Sequence, residues 1–407
     1  MPDSRAPSPP PPASIAPAQA TRVITVKETR LTLADLLDDL LWPKLLRAPA
    51  LGIQPARIGI ALFTLVIIGI IGSVNAWITD ARPFIETLGT LPLTPAAVTD
   101  YSESTLARTL DRFGAIVADH PLELILQGVP MLAVLAIGWG AIARMTAAEF
   151  SGGVRMSWTQ GLGFVASRVL SFLGAAVGAP ALIGLCCLLL ALAGLLFLQV
   201  PVLNVIGALL FPVALLLALL ATLLTLGLVL GGHLLVPAMA CEATDAIDAL
   251  QRTYAYVVAR PGRLVVHTLI LLAVVALTAL VLGSIATGVE FVARNAASAW
   301  MGDAAAQILE SPADRASATP LTGTPAAASR IIGFWVGLVW LIAVAAMYAT
   351  FAAGSTVLYL LMRQICDGQD WGELWFPENA ELGRDELVPG ARHAATPRDV
   401  AAAGESP

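Results

Sequence analysis

Between Val169 and Cys241 the chain carries no aspartate, glutamate, lysine or arginine. A single membrane-spanning helix needs only about 20 apolar residues, so this run is too long for one span. The segment from Gln199 to Asn204, which contains a proline, divides it into parts at about 169–198 and 204–235. The run therefore predicts that this part of the chain crosses a membrane twice.

The rest of the chain has the same apolar character. It has 407 residues, of which 57% are hydrophobic and 13% charged, and its mean hydropathy is +0.79. Soluble domains usually carry about a quarter charged residues. The net charge of −6 argues against nucleic acid as a partner. Together these properties predict an all-α fold, a polytopic membrane helical bundle.

Six apolar runs are long enough to span a membrane. Four of them, at about 58–77, 122–142, 264–289 and 331–362, lie on either side of the uncharged run. That run could instead hold three short spans, and basic residues decide between the two counts because they are enriched in cytoplasmic loops. With two spans, 17 basic residues lie inside and 6 outside; with three, the division is 13 against 10. We therefore expect six spans with both termini cytoplasmic, in the inner membrane of a bacterial cell.

The composition divides the chain into three regions. Residues 1–30 are rich in proline and alanine and are expected to be disordered, as is most of 376–407. Residues 31–375 form the predicted membrane domain. Its two long external segments, 79–119 and 291–329, contain helical candidates at about 104–117 and 299–309.

A short amphipathic segment precedes each pair of spans. The first begins at Thr32 with Asp35 three residues later, the second at Ser157 with Gln160, and the third at Thr244. The first two have the spacing of a capping box, which starts a helix. Because each has one apolar face and ends near arginine, these segments suit the headgroup layer of the cytoplasmic leaflet. The repeat predicts three hairpins, each preceded by a cytoplasmic amphipathic helix, called here an elbow helix.

Two of the inner loops place an acid and an arginine at similar separations: Glu149 with Arg168, and Glu242 with Arg260. On one interpretation these residues only anchor and orient the hairpins. On the other, they face one another in an inward vestibule that binds a polar headgroup or solute. His233, near the inner end of the fourth span, needs a partner because an unpaired polar group is costly there. We expect interfacial placement or a single interhelical hydrogen bond, and a proton relay is the alternative.

Two pairs of glycines, Gly174 with Gly178 and Gly227 with Gly231, have the spacing that lets helix backbones approach closely. They lie on the third and fourth spans. We expect them to pack these two spans against each other within one hairpin.

The stretch Glu242-Ala-Thr-Asp-Ala-Ile-Asp-Ala-Leu-Gln-Arg-Thr-Tyr-Ala-Tyr-Val-Val-Ala-Arg-Pro-Gly-Arg263 resembles a group of uncharacterised bacterial multi-pass membrane proteins. More distantly, it is similar to the membrane domain attached to some glycerophosphodiester phosphodiesterases. The catalytic barrel of those enzymes is absent here, so the resemblance implies the architecture and carries over no catalytic residue.

The sequence contains no hydrolase, nucleotide-binding or metal-binding motif. We therefore expect no catalytic residues, no cofactor and no metal. The chain is predicted to be a non-enzymatic membrane scaffold or partner subunit of the cell envelope, in contact with membrane lipids and possible membrane-protein partners. The alternative is a transporter or lipid-handling permease. Because the spans carry essentially no charge between their ends, its substrate would be apolar or lipidic.

Overall fold

The computed structural model describes residues 41–79, 124–199, 203–302, 306–309 and 321–370. Six helices in this part of the chain are long and apolar enough to cross a membrane, which confirms an all-α, multi-pass membrane protein. They are α3 (Pro55–Thr79), α4 (Val129–Gly152, after a π-helical turn at Leu124–Gly128), α6 (Val169–Ala193, with a π-helical extension Gly194–Leu198), α7 (Leu203–Glu242), α9 (Pro261–Ser298) and α10 (Thr324–Asp367). The shorter helices are α1 (Trp42–Arg47, a 3₁₀ helix), α2 (Ala48–Gly52), α5 (Trp158–Ala166) and α8 (Ala246–Ala259).

The uncharged run forms two helices, α6 and α7, and so contains two spans as predicted. With 40 residues, α7 is about 60 Å long, twice the roughly 30 Å of a bilayer's hydrocarbon core. Its last turns, Leu234 to Cys241, are buried by other helices. The run remains uncharged beyond one span because protein covers its end.

The predicted external helix at 104–117 and both chain termini lie outside the described residues. The other external candidate, 299–309, is described only in part. There α9 ends at Ser298, the chain turns, and residues 306–309 form a short turn. The last span begins at Thr324, seven residues earlier than the predicted start at residue 331.

The buried residues concentrate at one end of the bundle, where α3, α6 and α9 begin and α4, α7 and α10 end. We call this the packed end. At the centre of the packed end the last turns of α4, α7 and α10 contact one another. Small side chains line these contacts and let the helices approach closely, among them Ala141, Ala143, Ala238, Ala240, Ala349, Ala352 and Ala353. The Trp139 indole N–H donates to the Ser355 hydroxyl over 3.2 Å, and the Tyr348 hydroxyl donates to the Leu135 carbonyl over 2.8 Å, both joining α4 to α10.

The elbow helices repeat around this centre. The consecutive spans α3–α4, α6–α7 and α9–α10 pair as hairpins, as predicted. Elbow α5 folds back along α4, and elbow α8 folds back along α7 and α6. Helices α1 and α2 pack in the same way against α9 and α10, so the last hairpin is covered by short helices that precede the first span. The predicted first elbow segment at 32–41 lies outside the described residues except for Leu41, and α1–α2 directly follow it.

The start of α5 matches its sequence signal. The Ser157 hydroxyl accepts from the Gln160 backbone N–H, and the Gln160 side chain accepts from the Ser157 backbone N–H, which completes the capping box. Asp245 precedes α8 without a side-chain capping bond. Both elbows are therefore helices as predicted, although only α5 has the full capping signal.

The buried face of α8 matches the expected one in part. The apolar stripe in the sequence consists of Ile247, Leu250, Tyr254 and Val257. Val257 is buried and Tyr254 packs against α7, but Ile247 is 70% exposed. Ala249, Thr253 and Tyr256 are buried as well, because α8 packs against neighbouring helices rather than lying flat in the headgroup layer.

The glycines on α7 account for this packing. A Cβ at Gly227 would lie 2.2 Å from the Tyr254 ring, and one at Gly231 would lie 2.7 Å from a Val257 methyl. The prediction that this pair packs α7 against α6 is therefore wrong, because the glycine face of α7 receives α8. On α6, Gly178 has no neighbour within 4 Å of such a Cβ.

Candidate functional site at the packed end

A carboxylate lies in the last turns of each of the three helices at the centre of the packed end: Glu149 on α4, Glu242 on α7 and Asp367 on α10. A negative charge at a helix C-terminus is disfavoured by the helix dipole, whose negative pole lies there. Each carboxylate therefore needs a positive or hydrogen-donating partner. Asp367 was not singled out in the sequence, although its position at the end of the last span repeats that of Glu149 and Glu242.

The Glu149 carboxylate joins α4 to the start of α3. Arg57 donates to it over 2.7 Å, and the Gln54 amide donates to its two oxygens over 2.9 and 3.0 Å. The Arg57 side chain is 1% exposed, so this ion pair is nearly removed from solvent. Arg155, which is 75% exposed, approaches the other carboxylate oxygen at 3.7 Å. Two arginines thus surround one carboxylate, and the local charge is positive.

The Glu242 carboxylate joins α7 to α8 and α10. Its partners are the guanidinium of Arg252 and the hydroxyl of Tyr359, with the Nε of Arg363 3.9 Å away. Partial burial disfavours the charged form of Arg252, but Glu242 and its other neighbours outweigh this effect, so the pKa of Arg252 is raised. Arg252 therefore remains charged and bound to Glu242 across the physiological pH range.

Asp367 is bound by Tyr256, whose hydroxyl donates to the carboxylate and so joins α10 to α8. Burial, together with this hydrogen bond, raises the pKa of Tyr256 well above its ordinary value. The Tyr256 and Tyr359 rings lie 5.9 Å apart, so the contacts of Glu242 and Asp367 form one continuous group.

Two further arginines bind the carbonyl groups at the end of α7. Arg144 donates to the Ala240 carbonyl over 3.0 Å, and Arg168 donates to the Ala243 carbonyl. Both guanidinium groups contact the Phe164 ring of α5, at 4.5 and 5.8 Å from its centroid. Cations are favoured at the C-terminus of a helix, so these contacts stabilise the end of α7 next to Glu242.

The partners of the two acidic residues differ from those that the sequence predicted. Glu149 is bound by Arg57 rather than by Arg168, and Glu242 by Arg252 rather than by Arg260. Arg168 does reach the end of α7, close to Glu242, whereas Arg260 is exposed at the junction of α8 and α9.

His233 lies apart from these groups. Its Nε2 is 3.3 Å from the Thr268 hydroxyl oxygen, a contact between α7 and α9. This is the interhelical hydrogen bond that its position in the sequence predicted. Arg57 and Arg252 could not be picked out beforehand, because neither follows an acid at the separation that repeats between the two inner loops.

An apolar cavity of about 590 Å³ lies beside the Glu149 group, between α3, α4 and α5. Its wall includes Pro55 and Gly59 of α3, Val134 of α4, and Trp158 and Leu162 of α5. The one hydroxyl in the wall, that of Thr64, donates to the Ile60 carbonyl over 2.8 Å. The cavity therefore suits an apolar occupant.

The chemistry available at the packed end is that of charge pairing. The three carboxylates are each bound by arginine or tyrosine, and the described residues contain no group of histidine, cysteine or acidic side chains able to hold a metal ion. The arrangement holds the helix ends together. No protein-family model, curated protein or solved structure matches the chain. The resemblance of residues 242–263 to the membrane domain of certain phosphodiesterases thus stays a prediction.

Proposed function

We propose that the protein is a non-enzymatic membrane scaffold or partner subunit, and that the α6–α7 hairpin binds the partner. The observation that carries this proposal is the low burial of that hairpin. In the most apolar stretch of α6, 6% of the residues are buried, and in α7 11%, against 28% in α3 and 39% in α4. The hairpin is attached to the bundle mainly through its packed end.

The surface of this hairpin supports the proposal. Away from the packed end it exposes large apolar side chains, including Val205, Leu209 and Leu216. Helix association in a membrane depends on van der Waals packing and on interhelical hydrogen bonds. A hairpin that makes few such contacts within its own chain leaves its packing surface available to another membrane protein.

The charged residues support the same proposal and indicate how the protein is oriented in the membrane. The three carboxylates of the packed end are paired with arginine or tyrosine, and these contacts hold the helices in a defined arrangement. Arginines such as Arg155, Arg168, Arg260 and Arg263 lie at this end, and such an excess is typical of the cytoplasmic side. We place the packed end in the cytoplasm of a cell whose inner membrane holds the protein.

A second candidate, a permease for an apolar or lipidic substrate, is favoured by one observation. Helices α4 and α6 pack closely, as do α10 and α3, but the equivalent contact between α7 and α9 is slight. The His233–Thr268 hydrogen bond lies in this seam. A lipid that passes between two spans would need a seam of this kind.

Purification in native lipid nanodiscs tests the two functions. We expect a stoichiometric membrane-protein partner that is retained by the wild type and lost from the double variant Leu209→Ala, Leu216→Ala. The control Leu280→Ala removes a similarly exposed leucine from α9 and should retain the partner. An enriched lipid with no stoichiometric protein would instead favour the permease. Loss of the partner from the control as well would contradict the role of the α6–α7 hairpin.

A further inference from the structure

The cavity between α3, α4 and α5 lies at the first hairpin and has no counterpart at the second, although the two hairpins are otherwise built alike. In the second hairpin the corresponding place is filled by the Tyr254 ring, which lies against Gly227. Gly227 lies fifteen residues before Glu242, and Val134 in the cavity wall lies fifteen residues before Glu149. One copy of the repeat therefore has an aromatic side chain where another has open space.

The sequences of the two elbows explain this difference. Tyr254 lies six residues before Arg260, and Leu162 lies six residues before Arg168. Leu162 is shorter than tyrosine and has no hydroxyl group. The hydroxyl of Tyr254 donates to the Leu224 carbonyl over 2.5 Å, which holds its ring in place. In the first hairpin Leu162 reaches the cavity wall without filling the cavity.

The dimensions of the cavity fit a lipid chain. Along α3 it extends from Pro55 to Ile67, about 18 Å at 1.5 Å per residue. One leaflet contributes about 15 Å to the hydrocarbon core of a bilayer. The volume of about 590 Å³ lies within the range of small-ligand sites.

The charge at the packed end of the cavity indicates the headgroup. Gln54, next to the wall residue Pro55, donates to the Glu149 carboxylate, which Arg57 also binds. Arg155 lies 3.7 Å from the same carboxylate and is largely exposed, so its charge can reach a second anion. The indole of Trp158, 56% exposed, lines the same cavity. Tryptophan and arginine at the end of a span are typical of the headgroup level.

We propose that this cavity binds one anionic phospholipid, with an acyl chain between α3, α4 and α5 and the phosphate at Arg155. The site is independent of the scaffold role, because a bound lipid can accompany any function of the bundle. The occupant is a phospholipid because an apolar wall about one leaflet long ends beside tryptophan and arginine at the headgroup level. Its headgroup is anionic because the Arg57, Arg155 and Glu149 group has a net positive charge.

Native mass spectrometry of the full chain in detergent, titrated with phosphatidylglycerol or phosphatidylcholine of identical acyl chains, tests the site. Gly59→Leu places a side chain in the cavity, since a Cβ at Gly59 meets nothing within 4 Å. Leu162→Tyr fills it in the manner of Tyr254. Gly69→Leu is the matched control, on the same helix with equal space but outside the cavity wall. Wild type and Gly69→Leu should each hold one phosphatidylglycerol, and both filling variants should lose it.

The headgroup is tested with Arg155→Gln. We expect it to weaken phosphatidylglycerol binding about fivefold, the effect of one cationic contact at a membrane surface, and to leave phosphatidylcholine binding nearly unchanged. Full binding by both filling variants would overturn the proposal. It would also be overturned by equal affinity of the wild type for the two lipids, by competition from inorganic phosphate alone, or by a filling variant that releases a protein or a second copy of the chain.

Discussion

At the level of single residues, the packed end depends on carboxylates that would be unfavourable without their partners. Glu149, Glu242 and Asp367 each end a helix, and each is bound by a side chain from a different element. Removing one member of a buried ion pair leaves an uncompensated charge, which costs more than the pair itself contributes. These residues are therefore expected to influence the stability of the bundle strongly.

Glu149→Ala should lower the free energy of unfolding by about 3–5 kcal/mol, because it leaves the buried Arg57 guanidinium without its carboxylate. The double variant Arg57→Met, Glu149→Leu should recover much of this loss, since no charge then remains buried. Arg155→Ala is the control. Its exposed pair at 3.7 Å should contribute no more than about 1 kcal/mol.

Reversible unfolding in mixed micelles, followed by tryptophan fluorescence, measures these differences. A loss in Glu149→Ala no larger than in Arg155→Ala would contradict the structural importance of the buried pair. So would a double variant that is less stable than Glu149→Ala.

The sequence predicted that Glu149, Glu242 and Arg168 lie at the inner ends of spans, and all three lie at the packed end. Their partners could not be predicted. Arg57 is 92 residues from Glu149, and only the packing of α3 on α4 brings them together. Glu242 meets Arg252 rather than Arg260 because α8 folds back along α7, which places the middle of α8, rather than its end, beside the carboxylate.

At the level of secondary structure, the elbow helices α5 and α8 pack against the spans and so belong to the helical bundle. The capping box at Ser157 and the division of the uncharged run into two helices could be predicted from the sequence, because both depend on residues close together in the chain. The buried face of α8 could be predicted only in part. Tyr254 and Val257 belong to the apolar stripe and pack against Gly227 and Gly231, whereas Ile247 of the same stripe is exposed.

Gly227→Leu should detach α8 from α7, because a Cβ at this position would already lie 2.2 Å from the Tyr254 ring. Hydrogen exchange across residues 246–259 should rise by at least tenfold, since weakly packed segments open locally. Tyr254→Ala in the same chain should restore part of the protection by making space. Gly178→Leu, on α6 with open space around it, is the matched control and should exchange like the wild type.

Unchanged exchange across α8 in Gly227→Leu would contradict the packing of this elbow on the glycine face. Equal effects of Gly227→Leu and Gly178→Leu would do the same, because they would indicate a general response to a larger residue in a span.

At the level of the whole molecule, the three hairpins form a cycle at the packed end that is open at one seam. Elbow α5 packs on the first hairpin, α8 on the second, and α1–α2 on the third, while α4, α7 and α10 meet at the centre. The cycle is imperfect at two places, the seam between α7 and α9 and the cavity under α5. A permease would pass its lipid through the seam, and the proposed phospholipid site is the cavity.

Helix length explains why so much of the chain is apolar. Helices α7, α9 and α10 contain 40, 38 and 44 residues, about twice what a bilayer requires. At the packed end the excess of α7 and α10 is buried by neighbouring helices, so it needs no polar surface. Residues in the apolar runs therefore contact either lipid or other helices of the protein. For this reason the length of an apolar run overestimates the thickness of the membrane that it crosses.

The orientation of the packed end tests the three-hairpin account most directly. Single cysteines replace Ser102, Thr159, Ser317 or Ser406 in a chain whose four native cysteines have been changed to serine or alanine. A membrane-impermeant maleimide applied to intact cells should label positions 102 and 317. Positions 159, at the packed end, and 406 should react only after permeabilisation. Labelling of position 159 or 406 in intact cells would contradict six spans with the packed end in the cytoplasm.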